Sequence, residues 1–124
     1  MLIEVDPSDH RPVFRQIADE VQRSIAVGIL RPGEALPAVR ELAGELRVNA
    51  NTVQHAYKTL EREGTVHVRR GLGTYVSPPP KESKMKQAAL ARRIAERALR
   101  EGFKHGLLAS DLIDALQDIR SRSS

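Results

Sequence analysis

Apolar side chains recur along this chain in stripes that predict helices, broken once by an alternating stretch that predicts a hairpin. From about Val13 to Gly28, Phe14, Ile17, Val21 and Ile25 return at helical spacing, with Arg15, Asp19, Glu20 and Arg23 on the other side. Gly28 is placed to end this helix, and residues 29–37 read as a connector turning at Pro32-Gly33. Val39, Leu42, Ala43 and Leu46 form an i, i+3, i+4, i+7 stripe that predicts a second helix. Arg47-Val48-Asn49 follows as a tight turn, with Asn49 as N-cap of a third helix that runs to about Glu63 and stops at Gly64.

At about 100° per residue the third helix separates into two faces. Val53, Ala56, Tyr57 and Leu60 point one way; Asn51, Gln54, His55, Lys58 and Arg62 point the other. Thr65 to Arg70 alternates as a strand, Gly71-Leu72-Gly73 is a turn, and Thr74-Tyr75-Val76 returns, leaving Arg69 and Arg70 at the hairpin tip. Pro78-Pro79-Pro80 then forbids helix or ladder continuation and marks a stiff linker.

Beyond the prolines, Lys84 to about Gly102 carries the stripe Ala91, Ile94, Ala95, Ala98, Leu99 and Phe103. Ser110 is placed to cap a last helix with Leu112, Leu116 and Ile119 on one side. Two such helices are too few to bury their own apolar faces, so a second copy is expected to cover them. The expected fold is mainly α with a small β-hairpin: an N-terminal winged helix-turn-helix in residues 1–77, a proline-rich linker in 78–84, and a two-helix dimerisation element in 85–124.

Composition narrows the function. A chain of 124 residues without cysteine excludes disulfides and thiolate metal sites and suits a reducing cytoplasm. No apolar run approaches the ~20 residues that span a bilayer, and Met1-Leu2-Ile3-Glu4-Val5-Asp6-Pro7 lacks the basic and apolar regions of a signal peptide, so a cytoplasmic protein is expected. Residues 1–77 hold as many acidic as basic side chains, ten of each, so the net charge of +4 comes wholly from residues 78–124. An argument for a polyanionic partner therefore rests on where the cations sit.

The third helix suits a DNA major groove, which admits one helix and displays base edges that distinguish all four pairs. Asn51 and Gln54 can pair with adenine, and His55 can donate or accept. Lys58 and Arg62 suit phosphates, and the helix start at Asn49 and Thr52 offers backbone amides to another. Arg40 can clamp a guanine or a phosphate, while Arg69 and Arg70 suit an adjacent minor groove or the backbone. A blander role for Arg40, solvated or paired with Glu41 or Glu45, stands beside this one. The coincidence of a capped polar helix, a preceding arginine and an arginine-tipped hairpin favours nucleic acid.

From Val13 through Val76 the chain resembles the DNA-binding domain of the GntR family of bacterial transcription regulators. The resemblance lies in Phe14-Arg15-Gln16-Ile17, Gly28-Ile29-Leu30-Arg31-Pro32-Gly33, Leu36-Pro37 with Arg40-Glu41-Leu42-Ala43, Thr52-Val53, Leu60-Glu61-Arg62-Glu63-Gly64 and Arg70-Gly71-Leu72-Gly73-Thr74-Tyr75-Val76. It implies DNA-contact roles for Arg40, Asn51, Thr52, Gln54, Arg70 and Gly71. Two positions depart: Ala38 stands where many members carry serine, and Ala50 where many carry an arginine that contacts a base. Readout then shifts towards Asn51, Gln54 and His55. Asn49-Ala50-Asn51-Thr52-Val53 and the short tail resemble the YtrA subfamily, which implies a two-helix dimerisation part.

No cofactor, metal or catalytic centre is expected. His10, His55, His67 and His105 are dispersed, and Asp111 and Asp114 are ordinary first-turn partners of a helix dipole. Gly71-Leu72-Gly73 opens no helix, so it is a hairpin turn and no phosphate loop. Two short helices enclose too little space for a metabolite pocket, leaving open an interface site or no effector at all. The expected function is a homodimeric repressor of transcription on a palindromic operator in double-stranded DNA. The alternative is a winged helix used for protein interaction, its basic tail docking an acidic partner.

Overall fold

The computed structural model describes residues 3–80 and 83–122; Met1, Leu2, Ser123, Ser124 and the linker residues Lys81 and Glu82 lie outside them. The chain divides into two compact units, residues 1–79 and 80–124.

In the first unit, α1 (Val13–Ala26) starts behind Pro12, whose carbonyl accepts from the Arg15 and Gln16 amides. Proline needs no side-chain cap there because its fixed φ already suits a helix entrance. The buried face is Gln16, Ile17, Ala18, Val21 and Ser24. Gln16 clamps the preceding arm: its Oε1 accepts from the Asp6 amide at 2.9 Å, and its Nε2 donates to the Asp6 carbonyl at 3.0 Å and the Arg11 carbonyl at 3.1 Å. Arg11 closes the same arm by donating to Asp9 and, at 2.8 Å, to Asp19. Helix α1 ends two residues short of Gly28, which adopts φ +88° so that Ile29 and Leu30 can donate back to the Ser24 carbonyl.

Helix α2 (Val39–Leu46) ends on Arg47, the one described non-glycine residue with positive φ, at +55°. Helix α3 (Ala50–Arg62) begins on Asn49, whose side chain accepts from the Asn51 amide at 2.8 Å. Strands β1 (Val66–Arg69) and β2 (Gly73–Val76) pair antiparallel, Val66 opposite Val76 and Arg69 opposite Gly73. The connector before α2 is more than a loop. Leu36 donates to Thr74 and Gly33 to Val76, and Val76 returns a bond to Glu34, so residues 33–36 lie along β2 as a rudimentary third strand. Helix α3 packs on α1, α2 and β1 around a core in which Ile17, Val21, Val53, Ala56, Leu60, Val66 and Val76 are buried.

The second unit is a helical pair. Ser83 caps α4 (Lys84–Phe103) by accepting from the Lys86 amide at 3.2 Å. Helix α5 (Ala109–Arg122) follows a turn in which Gly106 has φ +80°. Ser110 lies inside α5 and does not cap it; the Asp111 carboxylate reaches back instead, accepting from the Leu108 amide at 2.7 Å. Asp111 is the third residue of the helix, so its carboxylate reaches back to the amide just before the helix and also meets the positive end of the dipole. Within the two helices Gly102 alone is buried, and Phe103 and Leu116 are 75% and 68% exposed.

Candidate nucleic-acid interface

The turn between α2 and α3 orients the exposed polar face. Arg47 in the left-handed conformation lets Val48 donate to the Ala43 carbonyl, which closes α2 and redirects the chain within two residues. Asn49 then starts α3, with Val53, Ala56, Tyr57 and Leu60 buried and Asn51, Gln54, His55, Lys58 and Arg62 exposed. A second tie fixes the two helices: the Tyr57 hydroxyl donates to the Pro37 carbonyl at 2.7 Å, just ahead of α2. Burial raises the Tyr57 pKa, and the Glu41 and Glu45 carboxylates push the same way, so the hydroxyl stays protonated and donating.

Arg40 is exposed on the first turn of α2 and pairs with neither Glu41 nor Glu45; no ion pair holds it among the described residues. Gln54 and Lys58 share a cleft of about 90 Å³ with Val39, Tyr57, Glu61, Val68 and Thr74. The start of α2, the middle of α3 and the hairpin therefore converge on one side of this unit.

Other candidates are partly engaged. The Asn49 carboxamide oxygen is occupied by the cap, and the Asn49 carbonyl accepts from Thr52 at 2.9 Å, so two first-turn amides are satisfied internally. Thr52 is half-buried. The His55 ring stacks on Phe14 of α1, centroids 3.7 Å apart and planes within 16°. The Arg15 guanidinium sits 5.5 Å from the Phe14 centroid and pairs with Glu63 at 3.5 Å, and Glu63 also accepts from Gln22 at 2.6 Å. This layer fixes the plane of the imidazole and leaves its edge to the solvent side. Nothing in the spacing of α3 foretold it, because Phe14 reads as one more member of the α1 stripe.

On the hairpin, Arg69 lies back over Tyr75, its guanidinium carbon 4.5 Å from the ring centroid, and Nε donates to His67 Nε2 at 3.3 Å. That bond requires the neutral His67 tautomer with its proton on Nδ1, which then donates to Ser77 Oγ at 3.2 Å. Arg70 is exposed with no ion pair among the described residues. It sits beside Gly71, whose φ of +76° makes the tip turn. Sequence reasoning passed over Leu72, 72% exposed at the same tip, and Arg47 in the helix-joining turn. A positive φ at arginine leaves no trace in the hydrophobic pattern.

Of the residues assigned to dimerisation, Ile94, Leu99, Phe103, Leu116 and Ile119 are exposed large hydrophobics, and Ala91, Ala95 and Ala98 are also exposed. Leu112 is half-buried and turns inward: a Cβ added to Gly102 would stand 3.5 Å from Leu112 Cδ1. Among the described residues no group of histidine and carboxylate side chains could hold a metal ion, and no helix is long and apolar enough to cross a membrane.

Residues 14–76 match the family model for bacterial regulatory proteins of the gntR family. The chain is similar to the HTH-type transcriptional repressor YtrA of Bacillus subtilis, with 46% identity over 76 residues, 61% of this chain and 58% of that protein. It is 37% identical over 118 residues to the HTH-type transcriptional regulator Rv1152 of Mycobacterium tuberculosis, covering 94% of this chain and 93% of the other. Among solved structures, the GntR-family transcription factor YtrA from Sulfolobus acidocaldarius superposes with a TM-score of 0.61 at 36% identity, over 77% of this chain and 99% of that one. The matched stretch runs from α1 to the end of the hairpin: the chain belongs to the gntR family of bacterial regulatory proteins, in its YtrA-like branch of helix-turn-helix transcription regulators.

Proposed function

We propose that the chain is a homodimeric repressor that binds a palindromic operator in double-stranded DNA. Residues 1–77 act as the reading head, 78–84 as linker and 85–124 as the dimerisation region. The observation that carries the reading head is the convergence of the start of α2 at Val39, Gln54, Lys58 and the hairpin on one cleft, with Lys58 and the neighbouring Arg40 exposed and without an ion pair among the described residues. Asn51 and Gln54 offer carboxamides for base edges, and His55 offers an imidazole edge whose plane Phe14 holds. Lys58, Arg70 and the Gly71 tip meet backbone; Arg69 joins them on leaving Tyr75.

The dimer rests on the second unit, whose helices leave Ile94, Leu99, Phe103 and Leu116 exposed. A second copy satisfies these faces and places two heads on related half-sites. The name of the Bacillus relative, a repressor, supports the sign of regulation. Such a protein works where the chromosome is, in the cytoplasm, and needs no cofactor.

Arg40→Ala is expected to weaken operator binding by about 1–3 kcal/mol, roughly 5–150-fold, with the fold intact by circular dichroism. Unchanged gel-shift affinity for the protein's own promoter region would remove Arg40 from the interface. A chain ending at Pro80 is expected to sediment as a monomer.

A further inference from the structure

We propose that α4 carries a second, sequence-independent DNA-contact surface: a basic stripe along the face opposite its apolar stripe, which tracks the phosphate backbone. This goes beyond the operator-reading head and rests on the reading that the chain binds DNA. Lys86, Arg93, Arg97, Arg100 and Lys104 are spaced by seven, four, three and four residues. At about 100° per residue they fall within an arc of about 60°. Ala91, Ala95 and Ala98 project from the far side of the same helix, so a second copy seated on the apolar face leaves the cations uncovered.

Four of the stripe's five cations are free as well as aligned. Lys86, Arg93, Arg97 and Arg100 are exposed and have no ion pair among the described residues. Of the two carboxylates of α4, Glu96 pairs with Arg92 outside the stripe at 3.0 Å, and Glu101 lies 3.7 Å from Lys104, the stripe's last cation, and 3.5 Å from His105. At about 1.5 Å of rise per residue, Lys86 to Lys104 extends about 27 Å. A duplex strand presents about eight phosphates over that length, at about 3.4 Å each. Residues 1–77 have no net charge, so any attraction to a duplex that comes from net charge originates in residues 78–124, where the +4 resides.

The test compares the full-length wild type with the triple variant R93Q/R97Q/R100Q on a random-sequence duplex across a salt series. Each lost phosphate contact lowers the slope of log affinity against log salt by about 0.9, so the variant's slope is expected to fall by about 2.7 for each engaged chain. Between about 50 and 200 mM salt, its affinity should change ~40-fold less than that of the wild type. The triple lysine variant keeps the charge and should keep the wild-type slope, and both variants should sediment as the wild type does. An unchanged slope in the glutamine variant overturns the proposal, as does salt-sensitive binding of the stripe to polyglutamate with none to DNA. If the glutamine variant fails to fold, the wild type still decides it: the Nε–H resonances of Arg93, Arg97 and Arg100 must shift on adding the random duplex, and unmoved resonances refute the stripe. Loss of preference for the operator over random DNA in the wild type would instead refute the reading head, leaving these slopes interpretable.

Discussion

Replacing Tyr57 by phenylalanine separates two effects of one hydroxyl, because they act at different pH. The side chain is 4% exposed, and its hydroxyl donates to the Pro37 carbonyl at 2.7 Å, tying α3 to the entrance of α2. Near neutral pH, Tyr57→Phe loses that bond and is expected to cost about 1 kcal/mol of unfolding free energy. Burial raises the tyrosine's pKa above its ordinary value of 10.0, and the Glu41 and Glu45 carboxylates push the same way. An acid whose pKa is raised on folding contributes stability below the unfolded value and loses it as pH climbs past that value. The wild type should therefore lose about 1.36 kcal/mol per pH unit above pH ~10 from this group alone, while the variant has nothing there to ionise. The two stabilities should meet near pH ~10.7, beyond which the phenylalanine protein is the more stable. Urea melts followed by far-ultraviolet circular dichroism, at fixed protein concentration between pH 7 and 11, measure both. Tyr75 and every lysine are common to the pair, so the difference isolates Tyr57. A constant gap across the alkaline range would refute the burial argument, and a gap of zero at pH 7 would refute the tie.

Three further outcomes follow from single residues of the head. Ser24 is fully buried and its Oγ has no hydrogen-bond partner among the described residues, so Ser24→Ala should raise stability by about 1 kcal/mol; a loss in urea melts would reveal a partner for the hydroxyl. Arg47→Gly removes the strain of φ +55° and should stabilise by up to about 1 kcal/mol after the entropy of glycine is set against it, with a fall in the melting midpoint as the contrary result. Asp9 is held at a pKa of about 2, first by the Arg11 side chain and then by its amide; because this lies below the ordinary 3.8, the contribution is present above pH ~4 and lost as pH falls towards 2. Asp9→Asn should flatten hydrogen-exchange protection of the arm across that window, and a persisting acid transition would place its cause elsewhere.

The helices of the head were legible because each buries a stripe of large apolar residues, and no other period fits Phe14, Ile17, Val21 and Ile25. The start of α3 was equally plain, since asparagine has a strong local reason to cap. What escaped reading depends on partners distant along the chain. The segment 33–36 earns its place on β2 through backbone bonds alone, between two prolines and with too few residues for an alternating pattern. The Gln16 clamp and the His55–Phe14 stack join elements whose relative placement no local spacing encodes. The α5 start was misplaced by two residues because Ser110 has the chemistry of a cap, and only the folded turn shows the helix already running from Ala109 with Asp111 bonding the Leu108 amide.

These same long-range contacts constrain how the head can read a base. Ala50, where resemblance leads one to look for an arginine, is half-buried and packs against the core, so the first turn of α3 is docked by a methyl group and projects no donor there. The Asn49 oxygen is committed to the Asn51 amide, and the Phe14 stack removes both tilt and swing from His55. Two carboxamides, on Asn51 and Gln54, then remain on that turn and the next with torsional freedom and no partner among the described residues. A carboxamide both donates and accepts, and matches adenine better than guanine, whose major-groove edge is all acceptor. Discrimination by such groups comes in increments of about 1–3 kcal/mol per base. A neutral head with few reading groups therefore gains from a separate source of sequence-independent affinity, which holds it on the duplex while those increments choose the site.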